Sequence, residues 1–405
     1  MKRYLKDYVL TATKVEEAIY DCFKHKWRRK DVTYFLAEYQ MKEGDDIHEV
    51  AKEIRKTIYY KPTRYLVSDL ITKISYKLYF EIMGRELILR PIKYELKYDA
   101  TSDKVREIGV SSIKQQIYDY LAVNACYHMF MAKIGFYQCA SLKKRGQVYG
   151  KKAIERWLRK DPAGTRYFYK CDIRKYYPSV NTKKLKKFLR RDIKNDDILF
   201  VIFTLIDTYK SGLCIGSYLS QFLANYYLSY AYHYITENSF SIRRAKSGEH
   251  FRVNNLTHIL FYMDDIIMFS GNLKLLKRGM NDFTRYIEDE LNLTIKPNNG
   301  VSRTKVDKID MMGFVITPKI TILRKRIYRK IFRLFLRLNH RTERLSLHIA
   351  RRALSYNGWL KYSDLYLFIK RYNVKAIVRQ AKKVVKYYDK RNFSRETEYV
   401  QLLSA

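Results

Sequence analysis

The residues in this chain that could do chemistry are acids placed where an apolar pattern would otherwise continue. Asp172 closes the aromatic-rich run Tyr167–Cys171, and Asp264 with Asp265 interrupts two apolar runs, His258–Tyr262 and Ile266–Phe269. Unpaired carboxylates in such surroundings cost several kcal/mol, so something cationic must compensate them. Two Mg²⁺ ions held about 3.5–4 Å apart would do so and would promote in-line phosphoryl transfer. One ion activates the attacking hydroxyl, and the other holds the triphosphate and stabilises the leaving pyrophosphate. Residue types alone leave a plainer alternative open: an Asp pair capping a turn beside an ordinary edge-strand Asp.

Such acids need strands and helices to place them. Asp161-Pro162-Ala163-Gly164 signals a turn before a strand over Tyr167–Ile173, and the gap Met263-Asp264-Asp265 between apolar runs predicts a β-hairpin. Ser217 can cap a helix whose stripe is Leu219, Phe222, Leu223, Tyr226, Tyr227, Tyr230 and Tyr234. Near the start, Val15, Ala18, Ile19, Cys22 and Phe23 recur at helical spacing, and Ile47, Val50, Ala51 and Ile54 begin a second stripe. Tyr65 to Tyr98 reads as alternating segments, Ala100 to Lys104 as a polar turn, Arg106–Val110 as a strand and Ile113–Met131 as a helix. The basic stretch Lys143–Lys152 leads into a short helix ending near Lys160.

Composition narrows the partner. The 405 residues hold 80 Lys+Arg against 41 Asp+Glu, a formal net charge of +39. An excess of that size repels itself in a compact chain unless a polyanion neutralises it, so a nucleic-acid partner is expected. Between residues 319 and 391, 22 Lys/Arg face 3 Asp/Glu, yet Ile331, Leu334, Phe335 and Leu338 keep helical spacing, which makes this a folded basic module. Hydrophobic content of 47% excludes a disordered basic tail, and only 6 Pro and 15 Gly leave little for long linkers, so two or three intimately joined domains are expected. The five cysteines are dispersed without a CxxC pair and the histidines show no HxxxH or HExxH spacing, a pattern that suits reducing cytosol and fits neither a disulfide framework nor a Cys/His metal site. The longest apolar run, Ile198–Ile206, is about half a membrane span, and no signal-peptide block opens the chain. A cytoplasmic protein with no membrane partner is expected.

Local wording then points to a family. Tyr262-Met263-Asp264-Asp265 is the YMDD box of reverse transcriptases. Upstream, Asp172-Ile173-Arg174-Lys175-Tyr176-Tyr177-Pro178-Ser179 resembles the family's first catalytic motif, and Ile215-Gly216-Ser217-Tyr218-Leu219-Ser220-Gln221-Phe222-Leu223-Ala224-Asn225 resembles its template- and nucleotide-positioning motif. The resemblance implies an α+β, right-hand polymerase fold: a helical N-terminal extension over 1–60, fingers over 61–165, a palm over 166–316 whose middle segment is shared with the fingers, and a basic helical thumb over 317–405. Its antiparallel sheet is expected to bring Asp172 to Asp264. The implied activity is RNA-templated DNA synthesis from dNTPs with two Mg²⁺ ions. Asp172, Asp264 and Asp265 are the implied catalytic residues, and Asp172, Ile173, Asp264 and Asp265 the implied metal-holding positions.

The resemblance covers roughly Arg90 to Arg391 and implies further roles. Lys104 and Arg106 resemble the basic residues of the fingers that grip the triphosphate. Tyr177, five after Asp172, would lie under the sugar of the incoming nucleotide, where its ring collides with a 2′-hydroxyl. Gly216 and Gln221 belong to the nucleotide-positioning motif, and Leu293 and Lys296 resemble the element carrying a candidate proton donor to pyrophosphate. Met311-Met312-Gly313-Phe314 resembles the primer grip, with Gly313 suited to a close backbone approach. Arg324, Arg326, Lys330 and Trp359 are expected to hold the template–primer duplex.

Ile215-Gly216 and Ser220-Gln221 stand where group II intron and retroviral enzymes usually carry Gln-Gly and Ser-Pro. They resemble the reverse transcriptases of bacterial diversity-generating retroelements and related phage-defence systems. The first implies error-prone copying of a template RNA with a small basic accessory protein; the second implies cDNA synthesis on a structured non-coding RNA that restricts phage. Losing the Gln at 215 could loosen selectivity by about 1–2 kcal/mol. Either branch implies a bacterial or phage-encoded cytoplasmic protein whose partners are RNA, primer, cDNA product and dNTP, with an accessory protein or oligomer besides. The acid-poor stretch after Gly313 does not fit an RNase H domain. An RNA-binding scaffold with an idle polymerase fold explains the charge but not the acids in the hairpin; a two-metal nuclease needs a third or fourth carboxylate and no triphosphate grip.

Overall fold

A computed structural model describes residues 3–59, 62–99, 104–297, 300–340 and 345–404, with the side chains of Pro62 and of 392–404 left aside. The polar turn expected over 100–103 lies outside the described residues. Helix and sheet are mixed, in the α+β class that was expected. The chain divides into two compact units whose segments interleave: 1–138, 173–234 and 283–296 form the first, and 139–172, 235–282 and 297–405 the second.

The first unit is mainly helical. Helix Ala12–Phe23 begins where the Thr11 side chain accepts from the Lys14 N–H, and it buries Val15, Ala18, Ile19, Cys22 and Phe23. Helices Ser68–Met83 and Ile113–Lys133 pack against it. Each large apolar side chain so buried contributes about 1.5–3 kcal/mol. The alternation expected between Tyr65 and Tyr98 is corrected here, because Ser68–Met83 is one helix. Its buried stripe of Ile71, Ile74, Leu78 and Ile82 is helical, and the exposed Tyr76, Phe80 and Met83 obscure the period. Helix Ile113–Lys133 opens with a capping box between Ser112 and Gln115. The longest apolar run becomes the buried side of helix Asp196–Asp207, and no helix among the described residues is long and apolar enough to cross a membrane. Strands Lys93–Asp99 and Lys104–Val110 form an antiparallel hairpin.

Four of the five strands of the main sheet belong wholly to the second unit, in the order His258–Tyr262, Asp265–Ser270, Tyr167–Asp172, Val301–Arg303. Strand Asp265–Ser270 is flanked on both sides by antiparallel partners and buries Ile266, Ile267, Met268 and Phe269, which explains its unbroken apolar run. The hairpin before it turns in two residues, Met263 and Asp264, with Met263 left-handed at φ +53°. A second two-residue turn joins Ile309–Met311 to Phe314–Ile316; Met312 and Gly313 both have positive φ, the mirror-image turn that matches strand twist. The basic module is folded, as its stripes predict, into helices Lys325–Asn339, Leu347–Lys361, Tyr366–Arg371 and Val374–Ser404. Ile331, Leu334, Phe335 and Leu338 are buried.

Candidate active site

Antiparallel pairing carries Phe168 opposite Phe269 and ends with Asp172 opposite Asp265. Directly opposed side chains in such a pair have Cβ atoms about 4.5–5.5 Å apart, and like charges there are destabilising. The sheet therefore pairs Asp172 with Asp265, and Asp264 stands next to Asp265 in the hairpin turn. The hairpin turn uses Met263 and Asp264, so Asp265 is already the first residue of the strand.

Lys170 relieves part of this conflict. Side chains two apart on a strand share a face, and from that face the Lys170 Nζ comes within 3.0 Å of Asp265 Oδ1. This ion pair holds the buried Oδ1. Burial pushes the Asp265 carboxyl above its usual range; Lys170 draws it back, Asp172 pushes it up again, and Arg324 opposes that. Two opposed carboxylates, with a third acid in the adjoining turn, are the residue types that suit a hard divalent cation. Among the described residues, no group of three or more His, Cys, Asp and Glu is drawn together closely enough to hold a metal.

The positions expected to handle nucleotide, and Ile173, lie in the first unit. Ile173 bridges to Ile295, and the Arg174 N–H donates to the Thr294 carbonyl at 2.8 Å, which sets the segment carrying Lys296 beside Ile173. Lys175 turns left-handed at φ +46°, after which the buried Tyr176 hydroxyl donates to the Ala224 carbonyl at 2.6 Å. This anchor leaves Tyr177 half-buried, with its carbonyl accepting from the Leu213 N–H at 2.8 Å.

Gly216 sits at φ +120°, where a Cβ would be 2.4 Å from the Gly109 carbonyl oxygen; a Cβ on Gly109 would be 2.2 Å from Cys214 Sγ. The Gly109 N–H donates to the Ile215 carbonyl at 2.7 Å. The hairpin that bears Lys104 and Arg106 is thereby fastened to the loop that bears Gly216. Lys104 is exposed, and Arg106 lies 3.4 Å from Asp99 within the same hairpin. Gln221 occupies the first turn of helix Tyr218–Asn238, whose start is held from helix Ile113–Lys133: Asp119 Oδ2 accepts from the Tyr218 N–H at 3.0 Å. Burial pushes the Asp119 carboxyl up to about 7, although Ser217, Tyr218 and Leu219 donate to it.

The second unit gathers the positions expected to hold template–primer. A Cβ on the buried Gly313 would be 2.8 Å from both Ile327 and Trp359, and the Gly313 carbonyl accepts from the Arg324 N–H at 2.9 Å. The close approach at this glycine is thus to side chains of the basic helices. Trp359 is half-buried, its ring 5.3 Å from that of Phe314. Arg324 Nε donates to Asp310 at 2.7 Å, and Arg326 and Lys330 lie half-buried on helix Lys325–Asn339. Lys170, Gly109 and Asp119 were not singled out in the sequence. The strand alternation from Asp172 could have found Lys170, and Asp119 is an acid within an otherwise largely apolar helical stretch, the same signal that marked Asp172.

No protein-family model and no curated protein matches the chain. Among solved structures, the apo telomerase of Candida tropicalis is similar at 12% identity and a TM-score of 0.44, over 98% of this chain and 81% of that one. Its form truncated from the C-terminal domain is similar at 14% identity and 0.38, over 62% of this chain; the chain spans only 60% of that protein's length. The Sicinivirus 3Dpol RNA-dependent RNA polymerase is similar at 11% identity and 0.42, over 77% of this chain and 70% of that one. With scores this low, these likenesses decide nothing about function.

Proposed function

We propose that the chain is an RNA-directed DNA polymerase that copies an RNA template into cDNA from dNTPs. The single observation that carries this reading is the placement of Asp172 opposite Asp265, beside the turn that holds Asp264. Asp172, Ile173, Asp264 and Asp265 would hold the two Mg²⁺ ions, which when bound neutralise charge on the phosphates and activate the primer hydroxyl. Lys104 and Arg106 would grip the triphosphate, Gly216 and Gln221 position the nucleotide, Tyr177 exclude a 2′-hydroxyl and Lys296 protonate pyrophosphate. Gly313, Arg324, Arg326, Lys330 and Trp359 would guide the template–primer duplex. On this reading residues 1–60 are a helical extension, 61–165 fingers, 166–316 palm and 317–405 thumb.

The biological setting we propose is a diversity-generating retroelement or a bacterial anti-phage system, acting in the cytoplasm with a dedicated RNA and an accessory protein. The variants at positions 215 and 221 support it. Primer extension on an RNA template by the purified chain tests the activity. Extension should require dNTPs and Mg²⁺ and should vanish in Asp172→Asn; full extension by Asp264→Asn would refute the assignment. RNA binding without extension would leave the scaffold reading, and dNTP-independent strand cleavage would indicate a nuclease. Sequencing RNA and cDNA that co-purify with the chain separates the retroelement from the defence setting.

A further inference from the structure

The hairpin of strands Phe240–Arg244 and His250–Asn254 in the second unit has no part in the reaction proposed above. It is ordered along its length. Pairing runs from Phe240 opposite Asn254 to Arg244 opposite His250. At the tip, the Ala245 N–H donates to the Glu249 carbonyl at 2.8 Å, and Gly248 takes φ +92°. At the root, buried side chains lock together: Ser239 Oγ donates to Asp282 at 2.7 Å, Ser241 Oγ to Asn255 Oδ1 at 2.6 Å, and Asn255 Nδ2 to Ser239 Oγ at 3.1 Å.

Beyond this root the ribbon is exposed on both faces. On one face Arg243 stands opposite Phe251, and on the other Ile242 stands opposite Arg252. Ile242 is 65% and Phe251 47% exposed. Arg244 follows, its Nε donating to the Gly248 carbonyl at 3.4 Å, and Arg252 lies 4.4 Å over the Phe240 ring. Lys246 is exposed near the tip, and Glu249 is the one acid between residues 240 and 254. A two-stranded ribbon is marginal alone, and this one leaves apolar side chains in water beside cations. Single-stranded nucleic acid offers the complement: unstacked base faces for an aromatic ring and phosphates for guanidinium and ammonium groups. An A-form duplex is a poorer fit, since its deep, narrow major groove does not admit side chains.

We propose that this hairpin is a docking ribbon for single-stranded RNA, with Phe251 stacking on a base and Arg243, Arg244, Lys246 and Arg252 holding phosphates. The choice of RNA over DNA rests on the polymerase reading; the docking itself needs no catalysis. The test is a binding titration of the full chain with a short unstructured RNA, without dNTPs and in EDTA, beside single-stranded DNA and duplex RNA of the same sequence. The combined variant Arg243→Ser, Arg244→Ser, Lys246→Ser, Arg252→Ser should weaken RNA binding at least about tenfold at physiological salt. It should also flatten the log–log salt slope by about 0.7 for each phosphate no longer held. Phe251→Ala should weaken binding about tenfold with the slope unchanged. As a measurement that needs no variant, photocrosslinking of the wild-type chain to thiouridine-containing RNA should label peptides within 240–254. Wild-type affinity and slope in both variants, an effect confined to DNA or duplex RNA, or crosslinks only elsewhere would each overturn the proposal. Primer extension is scored separately on the same preparations. A chain that fails to extend primers but loses RNA affinity with its hairpin would sink the polymerase reading alone.

Discussion

Asp172 lies directly opposite Asp265 in the register of two antiparallel strands, so two carboxylates oppose each other at the closest lateral spacing a sheet offers. Folding places like charges together here, and the expected consequence is a pair that costs stability when no cation is present. Replacing Asp172 by Asn should raise the stability of the metal-free chain by about 0.2–1 kcal/mol while lowering primer extension at least about 100-fold. Chemical denaturation in EDTA and an extension assay, run on the same preparation, check both signs.

Lys170 is the chain's own counter-charge for Asp265, 3.0 Å from Oδ1. Both groups keep some exposure to solvent, which discounts the effect, so Lys170→Met should cost about 1–2 kcal/mol in EDTA. Added Mg²⁺ should recover most of that stability in Lys170→Met. An equal deficit with and without Mg²⁺ would mean that the lysine does not share a role with the metal.

Asp119 should make stability depend on pH. Its folded pKa is raised by burial to about 7, against an unfolded value of about 3.9. For a raised carboxyl the contribution is fully present below the unfolded value and is lost as pH rises through the folded one. The wild type should therefore lose stability relative to Asp119→Asn between about pH 4 and pH 7. Thermal melts of both proteins across that range give the difference directly, and a constant offset would show that Asp119 does not titrate there.

Gly216 tolerates no side chain, because the Gly109 carbonyl oxygen stands 2.4 Å from where a Cβ would be and φ is +120°. Gly216→Ala should destabilise the chain by about 2 kcal/mol or more, and Gly109→Ala, whose Cβ would stand 2.2 Å from Cys214 Sγ, should also destabilise it. Since both substitutions would push the same hairpin away from the same loop, the double variant should cost less than the sum of the singles in a double-mutant cycle.

Tyr177 carries the prediction about substrate choice. Tyr177→Ala should admit ribonucleotides, lowering discrimination against them at least about tenfold. Competition between labelled dNTP and NTP measures it, and unchanged discrimination would remove Tyr177 from that role.

The acids of the candidate site were legible in the order of residues alone. Asp172, Asp264 and Asp265 stood out because acids are costly where strands are apolar, and the helix after Ser217 was legible from its stripe. Two things were not. The partner of Asp172 is set by the register between strands Tyr167–Asp172 and Asp265–Ser270, which lie far apart in the chain, and a slip of one residue there would move every opposed pair. The packing of Gly109 against the 215–216 loop joins residues far apart in the chain through main-chain atoms, which leave no mark on side-chain periodicity. Helix Ser68–Met83 was hidden for another reason: apolar residues on its exposed side blur the stripe on its buried side.

The interleaving of the two units has a consequence for how this chain is made and cut. No contiguous stretch of the gene encodes either unit. The first is complete only when residues 283–296 have been synthesised, long after its opening helices, and any single break between 139 and 282 divides the segments of both. A fragment ending at residue 138 would expose the apolar faces that segments 173–234 and 283–296 normally help to cover, so limited proteolysis should yield nicked chains that stay associated before it yields separable halves.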